Sequence, residues 1–561
     1  MREPEVQIGN SGLDQLNLCA AHHLDAARWK GMVHGKMRVR QTWTVGGGRI
    51  ARSINIFMGI ALVAFTPCIR AQLGPPSGPT TQTQATQLPL SGRTGQNGSV
   101  ATATAPVPGT TTSVNTLDPT VQATGPYSGS TNGTARMPFT GKLSLREAVQ
   151  RGLEYNLGAV GVTQAVRQSR AQSKAVRSSL LPNLNGDIAE TVETTNLRAV
   201  GLRISVPGFS FPTLVGPFNY IDFRARLSQT VANLTALNNY RAAEEMQHAT
   251  ERSAEDARDL VVLGVTGAYL QVVTAQARVT SAHAQLDSAN AVYQETLQQF
   301  QFGKVPQIDV NRSQVEALTQ QQRLLSLTDD LAKQKINLAR MIGLPVNDQY
   351  DTTDDVPFSP PPTLAIDDAL KQAFDRRADL KASEAQVRAA ERVLSAARDE
   401  RIPSLAVNAD YGAIGTNPSQ AHGTYNVTAT LSIPIWQGGR AEADIEQARA
   451  ILAQRQAELE DTKGEIESQI REAYLDLQAA TSQVEVARKN IQLTQQTLDE
   501  TRLRLQYGVV INVELVQSEE SVASAQLDYI SSVFAHNVAK LSLARALGRA
   551  VDNLPQFLKM Q

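Results

Sequence analysis

The chain carries two long copies of one pattern, set about 220 residues apart. Leu143-Ser-Leu-Arg-Glu-Ala148 returns as Leu364-Ala-Ile-Asp-Asp-Ala369, and Leu181-Pro182-Asn-Leu184 returns as Ile402-Pro403-Ser-Leu405. Ala268-Tyr269-Leu270 returns as Ala473-Tyr474-Leu475, Phe302-Gly303 as Tyr507-Gly508, and Leu338-Ala-Arg-Met-Ile-Gly343 as Leu543-Ala-Arg-Ala-Leu-Gly548. The first copy is about 16 residues longer between Pro182 and Tyr269. Copies of this length with one internal order denote a duplicated architectural unit, not a short solenoid repeat. The repeats are expected over 141–343 and 364–548, with an irregular Pro- and Asp-rich linker over 344–363 and a tail over 549–561.

Each copy opens with a helical stretch that stops at Pro182 or Pro403, because proline ends a helix and biases the residue before it toward extended backbone. Alternation follows. Tyr425, Val427, Ala429, Leu431, Ile433 and Ile435 face one way, and Asn426, Thr428, Thr430 and Ser432 the other. In the first copy Ile221, Phe223, Ala225 and Leu227 oppose Asp222, Arg224, Arg226 and Ser228, while Glu190 interrupts the apolar face of the partner strand. Two hairpins are predicted, at about 183–231 and about 404–436, the first with a long Gly-, Pro- and Phe-rich loop over 197–217. Such strands suit a half-buried soluble sheet or a transmembrane barrel with lipid outside and water inside. Four strands cannot close a barrel, and open edges are not tolerated in lipid. Three chains together would supply twelve.

After each hairpin comes a proline-free helix. In the second copy it is expected over Arg440 to Tyr507, with Ile470, Leu477, Val484, Ile491, Leu498 and Leu505 seven apart. Val265, Val272, Val279, Leu286, Tyr293 and Phe300 do the same in the first copy. A strict heptad implies a supercoiled pair or bundle, and at 1.5 Å per residue each helix is on the order of 100 Å long. A plain coiled coil is the alternative. Gly303 and Gly508 mark chain reversals. Pro306 suits the first turn of a return helix, Asn512 is a possible N-cap, and Gly343 and Gly548 read as C-cap glycines.

Ahead of the repeats, Arg49, Arg52 and the apolar run Ile54–Phe65 precede a small-residue cleavage site at Ala71, the pattern of an export signal. Residues 1–71 are therefore read as an N-terminal extension plus signal, with Met37 a more usual start. Removal would take both cysteines, Cys19 and Cys68; lipid on Cys68 is the alternative, although Pro67 fits it poorly. Residues 72–140, rich in Thr, Gly, Ser, Pro and Gln, read as a disordered tether. From Gly141 onward there is no run of 18 apolar residues, so a membrane span would need strands.

The 53 basic residues balance 54 acidic ones, which gives no reason to expect nucleic acid as a partner. No catalytic or phosphate-binding motif is present, and His248, His283, His422 and His536 lack metal-ligand spacing. No enzyme activity, cofactor or metal is expected.

Taken in order, the paired Leu-x-(Leu/Ile)-x-x-Ala helices, the Leu/Ile-Pro-x-Leu strand entries, the Leu431-Ser-Ile-Pro434-Ile-Trp436-Gln-Gly438-Gly439-Arg440 exit, the Ala-Tyr-Leu segments and the glycine tips resemble the TolC-type outer-membrane efflux family from Leu143 to about Arg549. The resemblance implies a mainly α fold with a β-barrel part: a homotrimer whose twelve-stranded outer-membrane barrel continues into a periplasmic helical barrel. It implies a passive exit duct for efflux or type I secretion in the outer membrane of a Gram-negative-type bacterium, docking a periplasmic adaptor and an inner-membrane pump. A periplasmic coiled-coil adaptor or scaffold is the competing reading. The tips, with Gly303, Lys304, Val305, Gly508, Val509 and Val510, are the expected adaptor contact. The family's pore acid matches Asp309 and Glu514, and a second ring position falls on the neutral Gln517. A plain helix-dipole role remains open for both carboxylates. This chain departs from the family at Thr230-Val-Ala-Asn-Leu234, which replaces a Pro-aromatic-x-Gly-Gly exit. It departs again at Val510 and Leu505, which take the places of an Arg and a Tyr. With no arginine at 510 to meet Asp309, a weakly locked tip is expected.

Overall fold

The computed structural model describes residues 99–106, 117–131, 139, 141–199, 201, 212–346, 350–354, 358–360, 364–507, 509–548 and 550–558. The export signal and both cysteines lie outside them. The repeat units share one element order. The first contains α1 (Leu145–Tyr155), α2 (Leu157–Ser178), the hairpin β4 (Asn183–Asn196) and β5 (Leu214–Ala232), the long helix α3 (Leu234–Gln301) and the return helix α4 (Gln307–Ile342). The second contains α5 (Ile366–Arg376), α6 (Ala378–Asp399), β7 (Ser404–Gly415), β8 (His422–Ser432), α7 (Arg440–Gln506) and α8 (Asn512–Ala546). Ahead of them stand β1 (Val100–Pro106), β2 (Leu117–Ala123) and β3 (Lys142–Leu143); β6 (Asp351–Thr352) lies between them and α9 (Ala550–Phe557) after them.

Several expectations are corrected. The leading helix of each copy is two helices. They break at Asn156, whose side chain accepts from the Gly158 N–H and caps α2, and at Arg377 in the second copy. Strand β8 stops at Ser432, so Ile433 and Ile435 are not in it. Pro306 precedes α4 at its N-cap position, and Asn512 is the first helical residue of α8, not its cap. The long helices begin differently. Asn233 caps α3 by accepting from the Ala236 N–H, whereas α7 starts after two left-handed glycines, Gly438 and Gly439. Part of the first copy's extra length is strand, because β5 starts at Leu214 and runs 19 residues.

The tether is also corrected. Over 100–106 and 117–123 it forms the antiparallel pair β1–β2, which packs on α3 and α8. Val100 and Val121 are buried there, against Gly264 and Gly267 of α3. A Cβ at Gly267 would overlap Val121, so glycine makes the seat for the hairpin. The linker is not wholly irregular, since β6 pairs in parallel with β3. The tail forms α9, with Phe557 and Leu558 buried. One window of α3 is long and apolar enough by mean hydropathy to span a membrane, but 72% of it is buried in the protein, as in a core helix. It belongs to the main core, where Val262, Val265, Tyr269 and Leu270 pack with Leu338, Ile342, Phe534 and Leu541.

The four long strands form one antiparallel sheet in the order β4-β5-β7-β8. Beneath it α3 packs on α2 and α6, and α6 on α7; lower down α3 packs on α4 and α8, and α8 on α7. One edge of the protomer is therefore β4, α2 and α4, and the other is β8 and α7.

Candidate functional site

Two regions are candidates for the functional site. The first is the sheet. Register places Leu184 beside Leu227, Leu227 beside Ala409 and Ala409 beside Val427, giving one apolar row across all four strands. Leu184, Ile188, Val192, Tyr425, Val427 and Leu431 are exposed large apolar side chains on this face. The opposite face holds ion pairs. Arg224 contacts Asp410 at 2.5 Å and Asp222 at 3.2 Å, and Arg226 contacts Asp187 at 3.2 Å. Exposed apolar residues opposite a paired polar face suit a sheet between lipid and water.

The second region is the pair of helix tips. The Lys304 N–H bonds the Gln299 carbonyl at 2.9 Å, and the Val509 N–H bonds the Arg504 carbonyl at 2.9 Å, so the two repeats turn alike. Gly303 sits at φ 70°, a left-handed position that favours glycine. Gly508 lies outside the described residues. Lys304 and Val509 are exposed, while Val305 and Val510 are half-buried. Sequence reasoning left out of the tip contact its two exposed aromatic side chains, Phe302 at 79% and Tyr507 at 82%. The signal was their shared place before the tip glycines.

Asp309 and Glu514 occupy the first turns of α4 and α8. Asp309 meets Arg312 on its own helix at 3.5 Å, a pair within α4 and not the cross-helix lock that position 510 would supply. Glu514 is exposed and makes no ion pair among the described residues. Gln517, one turn further along α8, is exposed.

Above the tips the seam between α3 and α8 is polar. Arg278 donates to Ser531 at 2.9 Å, Ser281 to Gln526 at 2.8 Å and Ser288 to Glu519 at 3.1 Å. Arg502 of α7 reaches both Ser288 and Glu519 at 3.2 Å. Arg502 thus supplies a cross-helix tie where the sequence, read at Val510, offered none. Close by, Leu498, Leu515 and Val522 form an apolar cluster joining α7 to α8, with Val292 of α3 packed against it.

The family model described as outer membrane efflux protein matches residues 161–344 and 369–549, one segment on each repeat. The chain is 27% identical over 321 residues to the pyoverdine export outer membrane protein OpmQ of Pseudomonas aeruginosa, covering 55% of this chain and 65% of that protein. It therefore spans just under two thirds of that relative. It is 24% identical over 420 residues to the cation efflux system protein CusC of Escherichia coli O157:H7, covering 72% and 85%. Among solved structures, the CmeC outer membrane channel of Campylobacter jejuni shares the fold, with a TM-score of 0.64 at 17% identity over 74% of this chain and 89% of that one. Matched over more than half its length, the chain belongs to the outer membrane efflux protein family and is an outer-membrane protein.

Proposed function

We propose that this protein is the outer-membrane exit duct of an envelope efflux system, a passive conduit formed by three copies of the chain. The observation that carries the reading is the four-stranded sheet with β4 and β8 as open edges. An open edge in lipid leaves backbone groups unsatisfied. Pairing β4 of one protomer with β8 of the next removes every edge and yields twelve strands. The helices support the same closure. Edge helix α4 exposes Ile308, Val315, Leu318 and Leu325, and edge helix α7 exposes Val486, Leu493 and Leu503. Both stripes recur at coiled-coil spacing, so α4 of one copy packs against α7 of its neighbour.

The relatives above are named for pyoverdine export and cation efflux, and efflux is the activity they share. Energy for transport comes from an inner-membrane pump, reached through a periplasmic adaptor. The adaptor docks on the tips, at Gly303, Lys304, Val305, Gly508, Val509 and Val510. Phe302 and Tyr507 supply most of the exposed apolar area there. Asp309, Glu514 and Gln517 stand at the mouth of the duct.

Native mass measurement in detergent tests the assembly, with three copies expected; a monomer soluble without detergent overturns it. Phe302→Asp with Tyr507→Asp tests the docking surface. Trimer and barrel are expected to survive while efflux in a strain lacking the native gene falls to background. Normal efflux in the double variant moves the docking surface elsewhere.

A further inference from the structure

From about two to five turns above the tips, α3, α4, α7 and α8 line a half-open cavity of about 200 Å³. Its lining is rich in oxygen acceptors. Gln320 is 4% exposed, and its Oε1 has no hydrogen-bond partner. Rotating the amide by half a turn does not cure this, because Nε2 donates to Glu316 Oε1 at 2.7 Å and the swap would set two oxygens against each other. Gln285 is held similarly while the Gln526 amide keeps its own orientation. Its Nε2 donates to Ser281 Oγ at 3.1 Å and to Gln526 Oε1 at 3.3 Å, which leaves its buried Oε1 unpartnered. Unpaired buried acceptors cost free energy unless something donates to them or is coordinated by them.

The charges around the cavity do not cancel. Glu519 is answered by Arg502 and Ser288. Glu316 meets only the Gln320 amide, and among the described residues no cation pairs with it. One net negative charge therefore remains beside two neutral amide oxygens. Oxygen donors suit hard cations, and a single uncompensated charge matches a monovalent one. The volume holds such an ion with part of its water shell, since each water takes about 30 Å³ in the liquid.

We propose that this cavity binds a monovalent cation of the sodium or potassium class, coordinated through Glu316, Gln320 Oε1 and Gln285 Oε1. The ion then joins α4 to α3 at the level where Arg502 and Glu519 join α7 to α8. The site needs only this chain's four helices and does not rest on the efflux reading.

Thallium(I) acetate is the probe for crystals of the full-length protein in detergent, with melting curves in potassium, sodium and choline salts at equal ionic strength. An anomalous peak is expected inside the cavity and is expected to vanish in Gln320→Leu. Melting is expected to rise saturably in potassium or sodium relative to choline, because a ligand bound only by the folded state stabilises it. In Glu316→Gln the half-saturating concentration should move up at least about tenfold, the equivalent of about 1.4 kcal/mol. If Gln320→Leu does not fold, Gln285→Leu supplies the same readout from the other oxygen. A cavity holding only water in the thallium crystals overturns the proposal. So does a potassium shift that is absent, or equal in wild type and variants.

Discussion

The hydroxyl of Tyr269 donates to the carbonyl of Leu143 at 3.1 Å, and its counterpart Tyr474 bonds the carbonyl of Leu364 in the second repeat. The Ala-Tyr-Leu motif thus has one physical task in both copies. It ties the middle of a long helix to the backbone just ahead of the unit's first short helix. The environments differ. Tyr269 is fully buried and also contacts Asp354 at 3.1 Å, whereas Tyr474 is half-buried. Tyr269→Phe is expected to destabilise the protein by about 0.5–1.5 kcal/mol, because it removes a buried hydrogen bond, although its acceptors keep the N–H groups of Thr353 and Leu145, and Tyr474→Phe by less. Denaturant titration of both variants checks the order; equal losses would show that burial does not set the cost.

The hairpin ahead of the repeats is held by shape. Val121 fills the space left by the absent side chain of Gly267. Gly267→Val should expel it, costing about 1–3 kcal/mol in overpacking and exposing β1 and β2 to protease. Val121→Ala should weaken the seat without blocking it. If limited proteolysis cuts both variants no faster than wild type, the hairpin is anchored by other contacts.

The heptad stripes and glycine tips were legible because each depends on a spacing along one element. The β1–β2 hairpin was not. Its strands are Thr- and Ala-rich, and the partners of its two buried valines are glycines over 100 residues away. The break at Asn156 was hidden for a different reason. A residue caps only once the next helix points away from the last, and Asn156 also donates to the carbonyls of Tyr127 at 2.8 Å and Met341 at 3.2 Å. At the tips, Asp309 and Glu514 could be named, yet neither the partner of Asp309 nor the ion pair on Glu519 could. Arg312 lies one turn away on α4, and several rotamers of each side chain miss the other. Arg502 meets Glu519 only because α7 and α8 fold back on each other.

A buried carboxylate near the C-terminal helix gives the protein a pH dependence. Burial pushes Asp259 up to about 6; nearby Arg545 opposes the rise and Asp256 adds to it. Backbone N–H groups of Ala550 and Val551, at the start of α9, also hold its charge down in pKa. A carboxyl raised above its unfolded value near 3.9 binds more protons folded than unfolded. Its contribution is therefore most favourable below about pH 4 and is lost as pH rises toward and past 6. Asp259→Asn keeps an acceptor for the α9 N–H groups and removes the titration. The variant is expected to gain on wild type by about 1–3 kcal/mol between pH 4 and 7.5. Thermal melts across that range check the sign, and a constant difference would mean that Asp259 ionises normally.

The proposed placement of Asp309 and Glu514 at the mouth of a duct yields the last prediction. In a threefold assembly Asp309 and Glu514 each appear three times, and like charges at a narrow mouth concentrate cations. The two rings are not equal. Arg312 lies 3.5 Å from Asp309 and cancels much of its field, whereas Glu514 is exposed without an ion pair among the described residues. Glu514→Gln alone is therefore expected to weaken cation preference and multivalent-cation block in single-channel recording, and Asp309→Asn to do so less. Arg312→Gln should unmask Asp309 and strengthen both effects. If neither carboxylate variant changes selectivity, the two side chains only stabilise the first turns of α4 and α8, which a carboxylate does at any helix start.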